Sequence, residues 1–179
     1  MIKVVIVEDE KLLRQGLCMT TPWNDLDCEV VGEASNAVDG EACILKLQPD
    51  IVITDVNMPQ ISGLDMIARL KDRLKCQYII ISGYDKFEYA KRAVHLGVKE
   101  YLLKPIDDNE LMETLSRAVE AVQERREYEK VMSIVEQWDE QAGNGCSIWI
   151  NEKDVLDNYL ERAISIMREQ YMNDLCIKS

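Results

Sequence analysis

The sequence predicts an α/β fold: a doubly wound, five-stranded parallel sheet with helices on both faces. Two observations predict it. Five short apolar runs, the first four rich in Val and Ile, alternate with five segments whose apolar residues recur at helical spacing. The first of these runs is β-branched and unbroken rather than alternating, as a strand covered on both faces is.

Taken in order, "IKVVIV" (2–7) is the first strand, and "EKLLRQGLCM" (10–19) is a helix. "EVVGEA" (29–34) returns to strand; "NAVDGEACILKL" (36–47) is helical, with apolar residues at 38, 42, 44, 45 and 47. "DIVIT" (50–54) is the third strand. In "GLDMIARLKDRL" (63–74), Leu64, Ile67, Ala68, Leu70 and Leu74 fall on roughly one side of a helix. "QYIIIS" (77–82) is a strand, and "KFEYAKRAVHLG" (86–97) a helix closed by Gly97. "EYLLK" (100–104) is the fifth strand; the helix over 107–122 starts at Asp107 or Asp108 as N-cap. No proline or glycine interrupts 107–141, so one long helix can run up to Gly143.

Composition narrows the function. With 179 residues, the chain has room for one ordinary domain plus an appendage. The net charge of −12 opposes direct binding to a nucleic-acid backbone, which needs clustered Lys and Arg. Segment 152–179 hides no basic patch, with four Lys or Arg against six Asp or Glu. Six scattered cysteines without a CxxC, and a single histidine, argue against a zinc site and suit reduced thiols. Runs such as "VVIV" (4–7) are too short to span a bilayer, and no signal-peptide pattern opens the chain. A cytoplasmic location is the expectation.

In doubly wound sheets, function gathers at the carboxyl ends of the strands. The first strand ends in Glu8, Asp9 and Glu10, and the third at Asp55. The fourth ends at Ser82, and the fifth at Lys104 before Pro105. Clustered carboxylates resist ionising together unless a cation joins them. Oxygen ligands in small number suit Mg²⁺, which shares its coordination with phosphate oxygens. An Asp in such a place can attack phosphorus and form an acyl phosphate. Mg²⁺, Lys104 and a hydrogen bond from Ser82 would balance the charge of the phosphoryl group. Singly, each feature has a plainer reading as a turn, cap or solvated helix start; jointly, they meet on one edge.

The motifs "VVIVEDE" (4–10), "ITDVNMPQISG" (53–63), "IISGY" (80–84) and "YLLKP" (101–105) resemble the receiver domain of two-component response regulators. The resemblance covers about 1–122 and implies a flavodoxin-like (βα)₅ domain. It implies Asp55 as phospho-acceptor, phosphorylated by a sensor histidine kinase. Asp9 would be the direct Mg²⁺ ligand of an acidic pair with Glu8, which acts indirectly. Asn57 would offer its backbone carbonyl to the metal. Ser82 would be the switch hydroxyl, Tyr101 the switch aromatic, and Lys104 the ammonium facing the phosphoryl group. The family also implies a cis bond between Lys104 and Pro105. Pro59 and Gly63 then shape the loop after Asp55. Glu8 stands where Asp is common, and Ser82 where Thr is also common.

A narrower resemblance lies in "PWNDLDCEVVGEASN" (22–36) and "SGYDKFEYAKRAVHLGVKEYLLKPI" (82–106). These are similar to the receivers of regulators that carry an AraC-type DNA-binding domain. "LERAISIMREQYMNDLCIKS" (160–179) resembles the first helix of that domain and the entry to its second. The expected organisation is a receiver at 1–122, a helical linker at 123–151 with a hinge near 142–147, and the start of a truncated DNA-binding domain at 152–179. DNA contact would then belong to the missing part. Ala121, Tyr128, Val131, Val135 and Trp138 have the spacing of a coiled-coil seam, which Glu124 interrupts. A homodimer formed on phosphorylation could use it; packing on 152–171 is the alternative.

Three rivals stay open. An Asp-nucleophile phosphatase or phosphotransferase usually needs a second acid just behind the nucleophile, where this chain has Asn57. A nucleotide-binding flavodoxin-like domain would need a glycine-rich phosphate loop where "EDEKLL" stands. A stand-alone receiver would act through protein contacts alone.

Overall fold

The computed structural model describes residues 1–83 and 87–142, with side chains to 133. Five parallel strands form one sheet in the order β2-β1-β3-β4-β5: β1 (Ile2–Val7), β2 (Cys28–Ala34), β3 (Ile51–Asp55), β4 (Gln77–Ser82) and β5 (Glu100–Leu103). The helices are α1 (Lys11–Thr20), α2 (Ala37–Leu47), α3 (Gly63–Leu70), α4 (Phe87–His95) and α5 (Asp108–Ala142). This is the doubly wound arrangement that the alternating pattern predicts, in the flavodoxin-like form that the resemblance implies. No helix of the described residues is long and apolar enough to cross a membrane.

Strand alternation divides the core into two layers. Val4, Ile6, Ile51, Ile53, Ile79, Ile81 and Leu102 face one way, where Leu17 of α1 and Leu111, Leu115, Ala118 and Val122 of α5 cover them. Val5, Val7, Val52 and Ile80 face the other way, against Ile44 of α2, Leu64, Ile67 and Leu70 of α3 and Ala93 of α4. Both faces are covered, so β3 is buried at every position. That explains its unbroken apolar run. A short 3₁₀ helix at Trp23–Leu26 seals the first layer, and the Trp23 indole donates to the Leu17 carbonyl at 3.1 Å.

Caps set several boundaries. The Asn36 side chain accepts from the Asp39 amide, and Ser62 from the Asp65 amide. Of the two candidate caps for α5, Asp107 serves: its Oδ1 accepts from the Asn109 and Glu110 amides at 2.9 and 3.1 Å. Gly97 closes the stretch after α4 at φ 81°, where glycine carries no steric cost.

Several boundaries differ from the sequence reading. Helix α3 ends at Leu70, not at 74, because the Arg73 and Leu74 amides both turn onto the Leu70 carbonyl and tighten the last turn. Strand β3 extends through Asp55, which pairs with Ile81. Strand β5 stops at Leu103; Lys104 stays attached through its amide, which donates to the Ser82 carbonyl at 2.8 Å. Helix α5 is continuous, as the absence of breakers predicts. The compact unit holding the sheet runs Met1–Arg125. Of the seam, Ala121, Tyr128 and Val131 are half-buried. The side chains of Val135 and Trp138, most of the 142–147 hinge and all of 152–179 lie outside the described residues.

Gly63 has a steric reason to be glycine. A Cβ there would stand 2.0 Å from the Asp55 carbonyl oxygen, whereas one at Gly16 in α1 would meet nothing within 4 Å. Gly63→Ala should therefore cost about 3 kcal/mol or more. Gly16→Ala should stabilise by about 0.5–1 kcal/mol through helix propensity. Urea unfolding of the two variants should move in opposite directions; a Gly63→Ala midpoint at or above the parent's would show the loop to be slack.

Candidate functional site

The strand order places β1 between β2 and β3, and the chain leaves β1 on the opposite side from β3. The crevice between those strand ends is the switch point of the sheet. Glu8 follows β1 directly, and its amide still donates to the Ala34 carbonyl at 3.0 Å. Its side chain is fully buried, whereas Asp9 is exposed. Asp55 ends β3 and is 6% exposed, so it meets solvent through a narrow opening.

Lys104 joins these strand ends. Its Nζ lies 2.7 Å from Asp55 Oδ2 and 3.1 Å from Glu8 Oε1. Glu8 Oε2 is 3.0 Å from the same ammonium but off its hydrogen-bond directions, which leaves that buried oxygen without a hydrogen bond. The Glu10 amide donates to Glu8 Oε1 at 3.2 Å, and the Asn57 amide to Asp55 Oδ1 at 3.1 Å.

The electrostatics follow the geometry. Burial pushes the Glu8 carboxyl above its usual range and the Asp55 charge adds to this, against the opposing pull of Lys104 and the Glu10 amide. Burial alone would lower Lys104, but its hydrogen bonds to Asp55 and Glu8 outweigh that and hold it above the usual lysine value. One ammonium thus stands against three carboxylates.

Glu8, Asp9 and Asp55 each offer a carboxylate oxygen, and these lie within 4.8 Å of one another. An oxygen-only donor set, excess negative charge and a buried oxygen without a hydrogen bond fit a hard divalent cation of the Mg²⁺ kind.

The remaining sequence-selected residues surround this centre. Ser82 is fully buried at the end of β4. Tyr101 pairs with Ile80 and Leu103 with Ser82, so Tyr101 sits one diagonal step from Ser82 on the same face. It is half-buried against the α2–α4 layer. The Lys104–Pro105 bond is cis. Between Asp55 and α3, Gln60 takes φ 69°, the Ile61 amide donates to the Pro59 carbonyl, and the Gly63 amide donates to the Val56 carbonyl.

Two contributors escaped the sequence reading. Arg14 of α1 donates to the Glu8 carbonyl at 2.6 Å and to Glu33 Oε2 at 3.3 Å, bracing the acidic turn from behind. Tyr89 of α4 donates to Asn57 Oδ1 at 3.1 Å. Neither spacing, 6 and 32 residues, follows a local period.

Comparisons with known proteins point one way. Residues 4–116 match the family described as the response regulator receiver domain. An uncharacterised response regulatory protein of Staphylococcus epidermidis is 42% identical over 125 residues, covering 70% of this chain and 49% of the relative. The transcriptional regulatory protein HptR of Staphylococcus aureus is 39% identical over 126 residues, covering 70% and 50%. The chain thus spans about half the length of these curated relatives. Among solved structures, the receiver domain of AraT, a response regulator from Geobacillus stearothermophilus, superimposes with a TM-score of 0.66 at 34% identity, over 70% of this chain and 98% of that one. A two-component transcriptional regulator AraC from Clostridium phytofermentans gives 0.66 at 31%, over 70% and 98%. A LuxR-family DNA-binding response regulator from Staphylococcus aureus gives 0.61 at 30%, over 66% and 99%.

The raised Glu8 pKa carries a stability consequence. The folded protein holds this proton to higher pH than the unfolded chain, whose value is near 4.5. Ionising Glu8 therefore costs stability: its contribution is complete below 4.5 and is lost as pH rises through the folded value. In metal-free buffer, Glu8→Gln should remove that loss, so its urea midpoint should fall less than the parent's between pH 4.5 and 7. An unchanged pH slope would show that Glu8 ionises at no cost.

Proposed function

The chain belongs to the response regulator receiver domain family, and from that premise we propose that it is the phospho-accepting part of a two-component transcription regulator, with Asp55 as acceptor. The observation that carries this reading is the placement of Asp55. It is a strand-end carboxylate 2.7 Å from the Lys104 ammonium, with oxygens of Glu8 and Asp9 within 4.8 Å.

In the proposed step, an Asp55 carboxylate oxygen forms a bond to phosphorus. The donor's bond to phosphorus breaks, and the leaving group keeps its electron pair. The donor is the phosphohistidine of a sensor kinase or a small acyl phosphate. The Asn57 amide holds Asp55 Oδ1 and so fixes the rotamer of the nucleophile. Lys104 supplies positive charge where the phosphoryl oxygens gather. Asp9 and Asp55, with the Asn57 backbone carbonyl, would hold Mg²⁺, and Glu8 would act on it indirectly. When bound, the ion neutralises the entering phosphoryl group and the carboxylates together.

The protein works as a switch rather than a turnover catalyst. Asn57 stands where phosphatases of the Asp-nucleophile kind need a general acid, and a neutral amide cannot fill that role. A phosphoryl group on Asp55 would draw the Ser82 hydroxyl, a charge-assisted bond of roughly 1.5–3 kcal/mol. Tyr101, one diagonal step away, would repack into the vacated space. A bond of this size shifts a balanced equilibrium by about tenfold or more.

For output, we favour a homodimer acting on DNA through an AraC-type domain beyond the matched region. The support is the likeness of 22–36, 82–106 and 160–179 to such regulators, together with the AraC regulator and HptR among the similar proteins.

Incubation with a small acyl phosphate should give a phosphoryl adduct that hydroxylamine and base remove, detected by intact mass, only when Mg²⁺ is present. Asp55→Asn should give none. An undiminished adduct in that variant would remove Asp55 from the role.

A further inference from the structure

We propose that Tyr89 is a positioning residue: its hydroxyl ties helix α4 to the loop that follows Asp55, giving α4 a second route for reading the acid pocket. The inference rests on Asp55 as the reacting group. It goes beyond that reading by adding a coupling path that bypasses Ser82, Tyr101 and β5.

The path is a short chain of contacts. The Asn57 amide donates to Asp55 Oδ1 at 3.1 Å, and the Asn57 side-chain oxygen accepts from the Tyr89 hydroxyl at 3.1 Å. One residue thus touches the acceptor carboxylate with its backbone and α4 with its side chain. The peptide whose carbonyl would face the metal belongs to the same residue.

The loop transmits displacement because it is closed on itself. The Gly63 amide bonds the Val56 carbonyl at 3.0 Å, the Ile61 amide bonds the Pro59 carbonyl at 2.9 Å, and the Asp55 carbonyl oxygen leaves no room for a Cβ on Gly63. A shift at Asn57 is therefore not absorbed within 56–63. On α4, Tyr89 is half-buried against the second core layer, and Ala93, one turn on, is fully seated in it. Arg92 adds an ion pair to Asp65 at the start of α3. These two polar contacts of α4 land on 57–65, the segment leaving Asp55.

The hydroxyl can be removed without the ring. Tyr89→Phe keeps the packing, and Asn57→Ala keeps the backbone amide and carbonyl. In metal-free protein, amide hydrogen exchange at Asn57 and across 90–94 should rise roughly two- to tenfold in either variant, the effect of losing one neutral hydrogen bond. The double variant should add nothing further, because both changes remove the same bond. Adding Mg²⁺ and a beryllofluoride mimic of the acyl phosphate should move the α4 amides of the parent. In Tyr89→Phe that α4 response should shrink while the Ser82 and Tyr101 amides still respond. Unchanged exchange at Asn57 in Tyr89→Phe, multiplying effects in the double variant, or a full α4 response without the hydroxyl would each overturn the proposal. If the mimic moves no amide at Asp9 or Asp55 in the parent, the phospho-acceptor reading fails instead. The metal-free exchange comparison still decides the Tyr89 link.

Discussion

A single ammonium holds the functional edge of this molecule together. Lys104 reaches Asp55 and Glu8, two carboxylates that the fold removes almost entirely from water. Burying charge without a counter-ion is costly, and breaking a buried pair leaves the surviving charge unpaired. The sheet order brings the ends of β1, β3 and β5 to one edge; the Lys104 amide, held by Ser82, keeps the last of them there. The Asn57 amide on Asp55, the Glu10 amide on Glu8 and the Arg14 brace on the Glu8 carbonyl hold the two carboxylates in place around that ammonium.

The site nevertheless stays electrostatically unfinished. Three carboxylates face one ammonium, Glu8 has a raised pKa, and one of its buried oxygens has no hydrogen bond. A structure selected for stability alone would place an apolar side chain at Glu8. The excess charge is instead what a divalent cation and a phosphoryl group need to find. The apolar core on both faces of the sheet offsets the cost, with β3 buried at every residue. Function and stability thus pull against each other at the strand ends, not in the layers.

Much of this was legible in the residues. The strands declared themselves as short apolar runs, and a carboxylate or lysine at the end of such a run has no core role to explain it. Helix α5 could be read to its end because no breaker intervenes. Legibility failed where packing between distant segments decides. Leu74 kept the helical period of α3 although the chain had already turned at Leu70, since periodicity registers burial rather than backbone form. Tyr89 and Arg14 read as ordinary helix residues; only the juxtaposition of α4 with the loop after Asp55, and of α1 with the acidic turn, gives them roles. Gly63 reads from sequence as the start of a helix and a device that shapes the loop after Asp55, whereas its steric reason is the Asp55 carbonyl oxygen, which leaves no room for a Cβ.

The claim that one cation must always stand among these carboxylates has a direct test in Lys104→Ala. The melting temperatures of parent and variant would be compared in metal-free buffer and again with saturating Mg²⁺. Without metal, the variant should melt well below the parent, because Asp55 and Glu8 lose their counter-ion. Mg²⁺ should raise the variant's melting temperature by more than it raises the parent's, since a bound cation then supplies the missing charge. A variant as stable as the parent without metal, and no more responsive to Mg²⁺, would contradict the account.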